Sequence, residues 1–142
     1  MNKISLIKQF ASKVAGTEVT IAKQRDDWGM SLADMFHPRL ILPKDLNQND
    51  QADKEFRINF VSRCPLAQGF ANITISILHE IGHYMNPCEF LSSDPKEYAE
   101  ATGFDHFKLP CEVVATDWAI EWLQSKTNRK MAKEFERLYF GY

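Results

Sequence analysis

Cysteine is scarce in this chain: Cys64, Cys88 and Cys111 are the only three in 142 residues, an odd set with no C-x-x-C pair. A disulfide-stapled scaffold is therefore not expected, and a reducing, cytoplasmic setting is the simpler reading. Glycine and proline number six each, far from collagen or low-complexity composition. Charge of one sign is also missing. Seventeen basic side chains face nineteen acidic ones, a net charge of −2, without the positive bias of a protein held by nucleic-acid phosphates. Nucleic-acid binding is unsupported. No run approaches the roughly 20 apolar residues of a membrane span, and Lys8 interrupts the N-terminal stretch where a secretory leader would be continuously apolar. Neither membrane insertion nor secretion is expected.

What is present is ordinary for a globular chain: 44% hydrophobic, 12% aromatic and 25% charged residues. The length fits a single domain over residues 1–142. Ile4, Ile7, Phe10, Ala11 and Val14 recur at helical spacing, with Gly16 at the C-cap position. Residues 17–23 (TEVTIAK) and 39–42 (RLIL, stopped by Pro43) read as strands, with a polar turn holding Asp26, Asp27 and Gly29 between them. Residues 44–53 form a polar loop. Residues 55–62 alternate Phe56, Ile58 and Phe60 against Arg57 and Asn59, which predicts a third, half-buried strand.

From Leu66 to about Met85 the apolar residues shift to helical spacing, and Asn86-Pro87 ends that helix. A short helix is predicted over 95–102, a longer one opened by Pro110 with Trp118 and Trp122 on its apolar face, and a last one over about 128–139. The basic residues Lys126, Arg129, Lys130, Lys133 and Arg137, interrupted by Glu134 and Glu136, read as a solvated helix face. No repeat or linker is evident.

Inside the most apolar of these helices stands His79-Glu80-Ile81-Gly82-His83, an H-E-x-x-H sequence. Shuffling a chain with these four histidines and ten glutamates produces that pattern in roughly one case in a hundred. On a helix the two histidines lie one above the other and reach the same ion, and neutral imidazoles suit Zn2+. Glu80 is offset by about 100°. It therefore stands beside the ion, where a carboxylate can take a proton from a polarised water. A catalytic zinc keeps three protein ligands. Glu112, the acidic residue leading the Pro110 helix, is the first candidate for the third; His106 and Asp117 compete with it. The H-E-x-x-H-x-x-G-x-x-H class is excluded, because Pro87, Cys88 and Phe90 occupy the region where its glycine and third histidine should follow.

The H-E-I-G-H motif, the downstream E-x-x-A of Glu112 to Ala115 and the pair Trp118-Ala119 together resemble the small gluzincins, most nearly the ImmA/IrrE-type metallopeptidases. The resemblance covers about residues 39–123 by order of elements and some ten residues by identity. It implies an α+β, minimal zincin-like domain in which a small mixed sheet packs on the active-site helix and further helices follow. It implies Zn2+ bound by His79, His83 and Glu112, with Glu80 as the base. Related small gluzincins often place an acidic or amide residue shortly after the alanine to orient a ligand. Here Thr116 holds that position and Asp117 comes one later. The helix-turn-helix unit fused to some of these peptidases has no room beside the catalytic domain, which implies a separate regulator or substrate.

The expected reaction is endoproteolysis of a protein or peptide substrate held as an extended strand against a sheet edge, with residues 57–61, or less so 39–42, as that edge. Tyr84, Tyr98, His106 and Tyr139 are candidates to stabilise the developing oxyanion. The alternative is a phage- or mobile-element-encoded binding protein, a regulator or antagonist of host defence, that keeps the fold without proteolysis. Composition leaves the oligomeric state open.

Overall fold

The computed structural model describes residues 2–25, 27–31, 36–46, 51–88 and 94–142. They form a mixed α+β arrangement of helices around one small sheet. Helix α1 (Lys3–Ala15) opens where the Asn2 side chain accepts from Ser5 N at 2.8 Å and closes at Gly16, whose φ of 74° is the left-handed cap glycine favours. Its apolar stripe of Leu6, Ile7, Phe10, Ala11 and Val14 is buried.

The sheet holds β1 (Thr20–Arg25), β2 (Gly29–Ser31) and β3 (Arg39–Pro43) in the order β1-β3-β2. β1 runs parallel to β3, with Thr20 opposite Arg39, and β2 runs antiparallel, with Met30 opposite Leu40. The polar turn around Gly29 thus contains a strand. Its three residues are too few to show a period, and Asp26 of the same turn lies outside the described residues.

Residues 55–62 are not a strand. They belong to α2 (Gln51–Arg63), which also takes the end of the expected 44–53 loop; residues 47–50 of that loop lie outside the described residues. Phe56, Ile58 and Phe60 would share one face of a strand. In the helix Phe60 is fully buried, Phe56 half-buried and Ile58 turned out to 59% exposure. The i, i+4 pair of phenylalanines satisfies both periods, and helix formers such as Glu55 and Arg57 favour the helical one. Neither expected substrate edge survives: residues 57–61 are helical and 39–42 are the central strand. Among the described residues the edges are β1 and β2.

A 3-10 turn (Pro65–Gly69) takes up the start of the helix expected from Leu66, and α3 (Asn72–Met85) begins later. Every residue from Ile73 to His83 is buried. Ala71 offers α3 no capping side chain, so Glu136 supplies the cap from a distant helix, its Oε2 accepting from Ala71 N at 2.7 Å and Thr74 Oγ1 at 2.6 Å. Glu136 is buried to 2% exposure, not on the solvated face its neighbours suggested.

Two short helices follow, α4 (Pro95–Glu100), capped by Asp94, and α5 (Phe104–Phe107). Then come α6 (Pro110–Leu123) and α7 (Lys126–Phe140). Helix α3 packs mainly against α6, and the two backbones come close where Gly82 meets Ala115. Phe10 stacks on Phe135 at 4.5 Å between ring centres, tying α1 to α7. Trp28, Trp118 and Trp122 pack at the margin of this core. No helix among the described residues is long and apolar enough to cross a membrane.

Candidate metal centre

Helix α3 brings His79 and His83 onto one face, their rings 4.9 Å apart and nearly perpendicular. Glu112, in the first turn of α6, faces them. Its Oε2 lies 2.6 Å from His79 Nε2 and 3.0 Å from His83 Nε2. All three side chains are buried. The register follows from the helix contact: Gly82 lets the backbones approach at Ala115, one turn beyond Glu112, so the carboxylate is carried across to the imidazoles.

Two carboxylates compete for the ligand position. Glu80 offers an oxygen that, with one nitrogen from each of His79 and His83, forms a set within 4.8 Å of one another. Glu112 touches both Nε2 atoms with one oxygen, a convergent contact that makes it the stronger candidate for the third ligand. Glu80 instead lines an open cavity of about 500 Å³ and accepts no hydrogen bond among the described residues, although it is only 8% exposed. Trp28, Phe56, Tyr98, His106 and Phe107 contribute other walls.

The residues fit a zinc ion. Two imidazoles and a carboxylate are a catalytic zinc set, and tetrahedral ligands at 2.0–2.1 Å would stand about 3.3 Å apart. The 2.6 and 3.0 Å contacts would need to open by about 0.7 and 0.3 Å. Charge agrees as well, since a divalent cation balances the two buried carboxylates Glu80 and Glu112.

The surroundings orient each group. His79 Nδ1 lies 3.0 Å from Thr116 Oγ1. With Nδ1–H donating to that hydroxyl, Nε2 is left bare for a metal. Thr116, which stands where related small gluzincins often carry an acidic or amide residue, is thus the side chain in contact with His79. Asp117 points away, exposed and paired with Arg63. Phe56 stands edge-on to His79 at 5.2 Å between ring centres, a contact hidden while its segment read as a strand. The other oxygen of Glu112, Oε1, faces His106 Nε2 at 2.9 Å and accepts from Tyr98 OH at 3.2 Å. His106 and Tyr98 are thus at the site but against the Glu112 carboxylate. Tyr139 is elsewhere, packed on Phe135 with its hydroxyl unpaired among the described residues. Tyr84 packs at the core margin. Cys64 and Cys111 are buried, Cys88 is exposed, and none of the three forms a disulfide.

Electrostatics follow the contacts. Burial pushes Glu112 up, but the imidazoles of His106, His79 and His83 overcome this and hold it well below the carboxylate range. Burial pulls His83 down, yet its bond to Glu112 and the charge of Glu80 leave it raised. The bond to Glu112 raises His106 against the opposing effect of burial. Burial raises the Glu80 carboxyl, with His83 and His79 opposing. Burial and the Glu112 charge push Tyr98 far up, so it remains a donor.

No family model, curated protein or solved structure matches the chain.

Proposed function

We propose that this chain is a minimal zinc-dependent endopeptidase of the ImmA/IrrE-like gluzincin kind. The reading rests on the convergence of His79 Nε2 and His83 Nε2 on one oxygen of Glu112, beside a cavity into which Glu80 projects. His79, His83 and Glu112 would hold Zn2+. When bound, the ion supplies Lewis acidity to a peptide carbonyl and lowers the pKa of the attacking water.

Glu80 does the proton work. Its carboxylate takes the proton released as water adds to the scissile carbonyl, and the same proton then passes to the leaving amine, so the base is restored at each turnover. Its burial and raised pKa strengthen it as a base, and its lack of hydrogen-bond partners among the described residues leaves it available. The 500 Å³ cavity has room for a few side chains of an extended peptide and, with its aromatic walls, limits water around the reacting bond.

The test is Glu80→Gln. Zinc content of the purified protein should stay at one ion per chain, while hydrolysis of a denatured casein or proteome-derived peptide mixture by the zinc-loaded protein should vanish. Undiminished cleavage by the variant would refute Glu80 as the base. Full zinc loading with no cleavage by the wild-type chain would favour the non-proteolytic binding protein.

A further inference from the structure

The Glu112 carboxylate is divided between two sets of partners. Oε2 serves His79 and His83, while Oε1 faces His106 Nε2 at 2.9 Å and Tyr98 OH at 3.2 Å. These two partners come from separate short helices, α5 and α4, and their rings meet edge to face at 5.3 Å. Both line the cavity, and the Glu112 side chain between them and α3 is only 4% exposed.

A carboxylate presented to a zinc ion can bind through one oxygen or two. The second mode would occupy the position that catalysis needs for water or substrate. We propose that Tyr98 and His106 are positioning residues that hold Oε1 back, making Glu112 a one-oxygen ligand and keeping the fourth position open. This rests on the zinc-peptidase reading above. It differs from an oxyanion role, in which the same side chains would serve the substrate and leave metal affinity untouched. With the donating nitrogen of His106 committed to Glu112, the ligand role is the one the contacts support. Outer partners of this kind usually contribute 10–100-fold to metal affinity.

The experiment reads metal binding without turnover. Zinc affinity is measured by competition with a chromogenic chelator for the wild type, Tyr98→Phe, His106→Ala and His106→Gln, with folding checked by circular dichroism. The expectation is a Kd for His106→Ala weakened about 10–100-fold, a smaller loss in Tyr98→Phe, and partial rescue in His106→Gln, whose amide restores a donor. With Co2+ as the probe, the visible bands of the Tyr98→Phe, His106→Ala double variant should weaken relative to the wild type, as coordination rises above four. Wild-type metal affinity in folded variants, together with an unchanged Co2+ spectrum and a lowered kcat, would overturn the proposal in favour of the oxyanion role. Failure of the wild-type chain to bind zinc or cobalt at all would overturn both this proposal and the zinc reading beneath it.

Discussion

Replacing Gly82 by alanine tests how the candidate metal centre is assembled. In an isolated helix the change is favourable, since alanine exceeds glycine in helix propensity by about 1 kcal/mol. Here an added Cβ would lie 2.4 Å from Ala115 O, 2.9 Å from Ala115 Cα and 3.0 Å from Ala115 C. Ordinary contact begins near 3.4 Å, so the shortfall against the oxygen is 1.0 Å. All three obstructing atoms are backbone and cannot rotate aside, so α3 and α6 must separate. Overpacking of this kind costs about 1–3 kcal/mol. Taking the upper end and subtracting the propensity gain leaves a net loss of about 2 kcal/mol.

The site should suffer more than the fold. Glu112 rides on α6 and the histidines on α3, so a separation near 1 Å acts directly on the contacts now at 2.6 and 3.0 Å. Zinc binding should weaken at least ~10-fold, as when a ligand loses its support. Urea unfolding of the metal-free protein gives the first quantity through the linear dependence of stability on denaturant, and chelator competition gives the second. A Gly82→Ala variant as stable as the parent, with unchanged zinc affinity, would refute the close-approach account of H-E-I-G-H.

Two further outcomes follow from buried charge. Glu136→Ala removes the acceptor of Ala71 N and Thr74 Oγ1 and should cost about 1–3 kcal/mol in urea unfolding; a neutral result would show that the start of α3 needs no cap from α7. The metal-free protein should be most stable near pH 4.5, the ordinary glutamate value, and lose stability as pH rises, most steeply above the ordinary histidine value of 6.5. The sign comes from the shifts. The lowered Glu112 stabilises above its unfolded pKa, and that contribution is lost only as pH falls towards its folded one. The raised His83 and His106 stabilise fully below theirs and lose that contribution as pH climbs through the folded values, while the raised Glu80 adds cost in the same direction. Thermal unfolding should show Tm falling from pH 6.5 to 9 without metal, and zinc should reverse the trend because it replaces those protons; a metal-free Tm that rises over that range would contradict the assignment.

The histidines and Glu80 were legible because their spacing is itself geometry: residues four apart on a helix must share a face. Glu112 was legible more weakly, as an acidic residue leading an apolar helix. Thr116 and Glu136 were not legible in their roles, because each acts across a helix contact between residues far apart in sequence, and no local pattern records such a contact. The α2 misreading has a different cause. Phe56 and Phe60 fit both periods, and only their burial against the rest of the chain decides between them. The first helix was clear because a full apolar stripe and a terminal glycine, Gly16, agreed with one another.

The Glu136 cap also sets an order of events. The residues it binds at the head of α3 precede it by 65 and 62 positions, and all of α6 is made in between. During synthesis, His79, His83 and Glu112 therefore leave the ribosome before the carboxylate that secures the helix bearing the two histidines. A partly made chain then holds these three side chains while α3 is incompletely tethered. Docking of α7 is therefore the step that completes support of the helix carrying both histidines.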